Sequence, residues 1–353
     1  MNIMSRLRSK AAGFLGNLLY TSLLVCGTGV ISAPVHAATV TVDQSPLIIQ
    51  RSLPPNIVLM LDDSGSMAWD YMPDKGYLTS TTSDGYRNSA NNGTYYNPSV
   101  TYTPPPKANG TDSYPASPGL DKAYNDGFRD TSAVDVRSYN GGSYDYFTAL
   151  SRETSATYTA TCDSGYTLTN KSGTWWCTRT SRSDRTPICS SGDSLSSDQG
   201  TCTTTTIKLF TYTTGPAAGP YTLHYVGLTG DCAKVAAASR TNCDDSLATQ
   251  QNVANWFSYY RTRMLMAKSG LMNSFATLDP TFRVGFGSIN GNNNSGLPSD
   301  ISTYNSREIA NVAPFGNEYP ATQKNKFWSW LNDIRLNNGT PLRLSLDAVG
   351  QYY

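Results

Sequence analysis

An open α/β sheet, interrupted after its first strand by a long disulfide-stapled insertion, is the fold class this sequence predicts. Three observations carry it. A short apolar run, Asn56–Leu61 (NIVLML), stops abruptly at a knot of Asp, Ser and Gly. From Thr249 onward, helix-like and strand-like patterns alternate, as layered α/β folds require. Between the two lie residues 68–245, rich in Tyr, Thr, Ser, Gly, Asn and Pro, with six cysteines in their second half.

The amino end predicts export. Arg6, Arg8 and Lys10 precede an apolar run from Ala11 to Val30, and "SAPVHA" follows, with Val35 and Ala37 at the spacing a signal peptidase reads. Residues 1–37 are expected to be a signal peptide cleaved after Ala37, with membrane contact limited to export. Asn17 and several glycines interrupt the run, which disfavours a retained anchor. Cys26 follows Val25 rather than the small residue of a lipoprotein signal. Net charge is +1 and charged residues are 15% of the chain, so no field attracts nucleic acid.

Residues 38–67 comprise an extended leader and the first strand. Asn56–Leu61 has no polar alternation and is too short for a helix, so it predicts a central parallel strand buried on both faces. In the insertion, "ATYTATCDSGYTLTNKSGTWWCTRT" alternates, breaks at Gly and Asn and alternates again, which predicts β-hairpins. "IKLFTYTT" and "YTLHYVG" read the same way. Apolar density looks too thin for a large core. Stability is expected from disulfides among Cys162, Cys177, Cys189, Cys202, Cys232 and Cys243, at about 2–4 kcal/mol each. Zinc is excluded by the lack of any Cys-x-x-Cys and by a single histidine, His224, beyond the signal. Spacing does not choose among the possible cysteine pairings.

Residues 246–353 return to the α/β pattern. Val253, Trp256, Phe257, Tyr260, Met264, Ala267, Leu271, Phe275 and Leu278 recur at helical steps in one run ended by Pro280. Phe282–Ile289 predicts a second strand and "REIANVAPF" a short edge strand. Phe327, Trp330, Leu331 and Ile334 share a helical face. Thr340 as N-cap and Pro341 at the first position open a last helix.

Open α/β sheets bind ligands at the carboxyl ends of their strands, which is where Asp62, Ser64 and Ser66 lie. At steps of two in a tight loop, a carboxylate and two hydroxyls can face one point. That donor set suits Mg²⁺ above all, with Mn²⁺ or Ca²⁺ as alternatives, and not zinc or copper. The competing reading is a turn or cap cluster, since Asp and Ser favour both. Asp63 is expected to be a solvated loop residue.

Asp62-Asp63-Ser64-Gly65-Ser66-Met67 resembles the metal-ion-dependent adhesion site of von Willebrand factor A domains. That resemblance implies a von Willebrand A-like open sheet flanked by helices, incomplete at its C-terminal end. It also implies a metal-ligating threonine from a later loop, for which Gly339-Thr340-Pro341-Leu342 supplies Thr340. The family's further aspartate has no match here. Together with "YYNPSVTYTPP", "FRVGFGSIN", "FWSWL" and "NGTPLRLSLDAVGQYY", the loop makes residues 50–353 similar to the N-terminal part of type IV pilus tip-associated proteins, the PilC/PilY family. Members carry a β-propeller-like domain without counterpart here, so a fragment or truncated reading frame is expected. The resemblance implies a non-enzymatic protein of the periplasm, pilus tip or cell surface. Its implied partners are minor pilins, or a host or surface ligand presenting a carboxylate to the metal.

Other readings were weighed on the residues. A metal-free assembly factor docking on minor pilins would use the loop only structurally. A secreted hydrolase would need His224, yet no Gly-x-Ser-x-Gly elbow is present. Trp175 and Trp176 are expected to split, one ring inward and one outward. Asp244 and Asp245 are expected to serve a helix start rather than calcium.

Overall fold

The computed structural model describes residues 54–139, 151–154, 157–190, 193–203, 207–235, 237–291, 297–316, 322–337 and 339–353; the expected cleavage site at Ala37 lies outside them. The architecture is mixed α/β, with several small sheets, five α-helices and three disulfides among these residues.

The central sheet has four strands: β1 (Asn56–Leu61), β2 (Arg283–Ser288), β3 (Ile301–Tyr304) and β4 (Arg307–Pro314). Their spatial order is β1-β2-β4-β3. β1 runs parallel to β2, from Asn56 opposite Arg283 to Leu61 opposite Ser288, while β4 is antiparallel to both β2 and β3. Two expectations are corrected here. β1 lies at an edge of the described sheet and only Leu61 is buried, because it has one neighbour strand and not two. The "REIANVAPF" strand is interior, and Ile301–Tyr304 takes the edge beside it. A side chain at Gly287 would strike the carbonyl of Glu308, so the close approach of β2 and β4 requires glycine there.

Four of the helices matter for the site: α1 (Leu247–Tyr259), α2 (Arg263–Ala276), α3 (Gln323–Asp333) and α4 (Leu342–Tyr352). The expected single run from Thr249 is thus two helices. Thr262 caps the second, its side chain accepting from the amide of Leu265. Apolar periodicity continues across the break, which is why the pattern hid it. α2 and α3 pack on the sheet in one core of Leu61, Met264, Met272, Phe286, Phe327, Trp330 and their neighbours. The Phe275 and Phe327 rings, 4.9 Å apart, join the two helices. α4 docks through Tyr352, whose hydroxyl accepts from the amide of Val312 at 2.7 Å.

α1 serves a second core. Its Val253, Ala254, Trp256 and Phe257 pack with Tyr95, Tyr96, Leu120, Phe210, Tyr212 and Val226 of the insertion. The expected thin interior is therefore corrected. Tyrosines supply the missing volume, burying their rings while the hydroxyls reach backbone carbonyls: Tyr95 donates to Thr211 at 2.7 Å and Tyr259 to Pro115 at 2.6 Å. Ile207–Thr214 and Thr222–Val226 pair antiparallel as expected. So do Thr167–Lys171 and Thr174–Thr178, through a turn at Ser172 and Gly173 with φ of 57° and 91°.

The cysteines pair in chain order: Cys162–Cys177, Cys189–Cys202 and Cys232–Cys243. Trp175 and Trp176 are both half-buried, at successive positions of one strand. Asp244 serves the start of α1, accepting from the amide of Ser246 and the hydroxyl of Thr249. Asp245 accepts from the amides of Gly230 and Cys232.

Candidate metal loop

β1 ends at Leu61, and the chain turns at once. The Asp62 carboxylate accepts from the amide of Ser64 at 2.9 Å, closing an Asx turn. Ser64 then leads into a 3-10 turn, Gly65–Ala68, that makes no side-chain cap bond to it. The hydroxyls of Ser64 and Ser66 instead hydrogen-bond each other, 3.1 Å apart. Met67 anchors the turn against the sheet core.

Asp63 is the surprise of the loop. Far from being solvated, it is fully buried. Its Oδ1 accepts from both the amide and the side-chain amide of Asn290, at 3.1 and 2.8 Å. The same Asn290 side chain donates to the carbonyl of Gly339 at 2.8 Å. One residue just beyond β2 therefore ties the first loop to the loop that carries Thr340. A second tie runs from the amide of Asn337 to the carbonyl of Asp63 at 2.6 Å, beside a parallel bridge between Ser64 and Asn337. Nothing in the sequence pattern singled out Asn290, because a polar residue after a strand is ordinary turn chemistry. Asn290→Ala would leave the buried carboxylate with only the backbone amide of residue 290 as donor and would cut the tie to Gly339. We expect a loss of about 1–3 kcal/mol in urea unfolding, and an unchanged midpoint would show that Asn290 does not hold the two loops.

Thr340 is exposed and follows Gly339 directly. The expected cap role is corrected: the helix opens at Leu342, Pro341 takes the cap position, and no side chain caps it. The structure thus gathers Asp62, Ser64 and Ser66 in one loop and lays the Thr340 loop against it.

Whether this donor set fits a hard cation can be judged from spacing and satisfaction. Adjacent oxygens around Mg²⁺, each about 2.1 Å from the ion, stand about 3.0 Å apart, and the two hydroxyls are at 3.1 Å. Oδ2 of Asp63, in the same loop, is buried without a hydrogen-bond partner. Both features fit a divalent ion. Among the described residues no three His, Cys, Asp or Glu side chains cluster as a carboxylate- or thiolate-rich site would need.

His224, the hydrolase candidate, bonds the Thr214 hydroxyl at 2.9 Å and stacks on Tyr212. Burial holds its pKa below the usual histidine value. No described helix is long and apolar enough to cross a membrane.

Comparison with known proteins bears out the pilus-associated resemblance. The chain is 26% identical over 343 residues to the type IV pilus biogenesis factor PilY1 of Pseudomonas aeruginosa strain PAO1, covering 94% of this chain and 24% of that protein. It is 24% identical over 336 residues to PilY1 of strain PAK, with 94% and 24% covered. Against PilY1 of strain UCBPP-PA14 it is 26% identical over 328 residues, with 90% and 22% covered. The chain spans about a quarter of the length of these relatives. No protein-family profile matches it, and no solved structure matches it.

Proposed function

We propose that this chain acts at the type IV pilus, in pilus assembly or adhesion, through a von Willebrand A-like sheet whose first loop holds a divalent ion. The observation that carries the pilus reading is the similarity to PilY1 along nearly the entire chain. The metal reading rests on the paired hydroxyls of Ser64 and Ser66 and on the unpartnered buried oxygen of Asp63 in the same loop. Asp62, Ser64, Ser66 and Thr340 would hold the ion, Mg²⁺ first and Mn²⁺ or Ca²⁺ after it. When bound, the ion supplies an open position for a carboxylate of a minor pilin or of a surface ligand. The protein's own part is to hold the loops in register through Asn290 and the Asn337–Asp63 bond, so little ordering is left to be done on binding. The route is export to the periplasm and display at the pilus tip or cell surface.

The relatives' name, biogenesis factor, favours assembly over direct adhesion as the primary role. One double substitution tests both layers. Calorimetry on the purified protein should show saturable Mg²⁺ uptake that Ser64→Ala/Ser66→Ala reduces by at least about tenfold. Undiminished uptake would refute the metal site. In cells, loss of pili with normal attachment per remaining pilus supports assembly. Normal pili with lost attachment supports adhesion.

A further inference from the structure

A cavity of about 460 Å³ opens where α1 breaks into α2, between the insertion and the central sheet. Ala68, at the end of the metal loop's 3-10 turn, lines one side, and Leu336, next to Asn337, lines another. Four cations contribute to its wall: Arg129, Arg261, Lys268 and Arg335. Asp126 is the carboxylate in the wall, its Oδ1 already used by the amide of Phe128, while Asp333 lies near enough to act on Lys268 and Asp130 near enough to act on Arg261. In a chain of net charge +1, this is a strong local excess.

None of the four cations forms an ion pair among the described residues, whose bridges all involve other basic side chains. Lys268 is 1% exposed, and the carbonyl of Asn332, at 3.1 Å, is its hydrogen-bond acceptor among the described residues. An ammonium can donate three hydrogen bonds, and beyond that carbonyl the Lys268 Nζ has only the face of the Phe128 ring, 5.6 Å away, among the described residues. Arg261 spends its terminal nitrogens on the carbonyls of Asn125 and Phe257 and on the Asn125 side chain. Its guanidinium lies over the Phe257 ring at 4.2 Å, and its Nε is buried without a partner. Buried cations are ordinarily paired. Arg129 and Arg335 are exposed and carry no ion pair to the rim.

The rest of the wall is mostly apolar or aromatic, with Tyr139, Met264, Leu265 and Ile334 beside the polar Asn125 and Thr262. A cavity of this size, with an apolar wall and a few convergent charges, has the character of a ligand pocket. The other polar cavity of similar size, beside Tyr102 and Tyr212, differs in kind. Its three amides, Gln251, Asn252 and Asn255, are committed to one another and to Tyr96, Val100, Tyr102 and Ser117.

We propose that the cavity at the α1–α2 break binds a carboxylate carried on an apolar or aromatic frame. Lys268 meets the carboxylate and Arg129 and Arg335 draw it in. The facing Asp126 disfavours a phosphate dianion relative to a single carboxylate. The carboxylate belongs either to an acidic residue of a polypeptide or to a free small acid. This site is separate from the divalent-ion loop and does not depend on it.

The test is calorimetry on the whole 353-residue chain in EDTA, which removes any contribution from a metal. The probes are 3-phenylpropanoate, its neutral amide, the blocked dipeptide N-acetyl-Leu-Glu-amide, and inorganic phosphate. We expect saturable binding of a carboxylate probe, with the neutral amide at least about tenfold weaker. Arg129→Ala/Arg335→Ala, both at exposed positions, should keep its circular dichroism spectrum and lose about tenfold in affinity. Lys268→Met should lose more. Tighter binding of the dipeptide assigns the carboxylate to a polypeptide, and equal or tighter binding of 3-phenylpropanoate assigns it to a free acid. Equal affinity for acid and amide, preference for phosphate, no saturation at millimolar concentration, or undiminished binding by the folded double variant would each overturn the proposal.

Discussion

Trp256→Ala is expected to remove about 3–5 kcal/mol of stability with all three disulfides intact. The indole is 1% exposed and sits at the centre of the insertion's core. Tyr95, Tyr96 and Phe210 surround it at ring separations of 5.4, 5.9 and 5.6 Å. Its Nε1–H donates to the carbonyl of Thr94 at 2.9 Å. Truncation leaves a cavity too large for the neighbouring rings to fill, and an unsatisfied carbonyl within it. The measurement is the urea midpoint under oxidising conditions. The result separates two accounts of residues 68–245. If the staples held this region, the tryptophan would matter little, and a loss below about 1 kcal/mol would favour them.

The second large effect is a stability that rises with pH and disappears in Lys268→Met. Burial is the main cause that pulls the Lys268 ammonium from 10.5 down to about 8; Arg129 adds to the fall, while Asp126 and Asp333 oppose it. The unfolded chain keeps this proton up to about pH 10.5 and the folded chain releases it near 8. Between those values the unfolded state binds more protons, so stability increases as pH rises. Below 8 the folded state carries the full cost of the buried charge, on the order of 3 kcal/mol. Lys268→Met, similar in length and uncharged, should be more stable than the parent at pH 7 and flat where the parent climbs. Urea unfolding at neutral pH and again well above pH 8 reads both effects. A parent curve with no slope in that window would mean that the lysine reaches solvent in the folded state.

Much of the α/β frame is legible in the sequence, and the failures have physical causes. β1, β2, α3 and α4 stand where periodicity and Gly/Pro punctuation place them. The break at Tyr260–Thr262 was invisible because the apolar steps run through it. The insertion's interior was underestimated because tyrosine counts as polar in a pattern, yet it buries its ring whenever its hydroxyl finds a carbonyl. Asp62, Ser64 and Ser66 could be picked out because they are adjacent in the chain. Asn290 could not, since its partners Asp63 and Gly339 are 227 and 49 residues away. The cationic cavity is hidden for the same reason: its charges come from segments that only the fold brings together.

The chain-order cysteine pairing bears on how the protein is made. Each bond joins neighbours only 15, 13 and 11 residues apart. On the export route proposed above, with the amino end entering an oxidising space first, the earliest unpaired thiol to join each of these cysteines is its native mate. Oxidation can then keep pace with delivery, and a scrambling catalyst has no misjoined intermediate to repair.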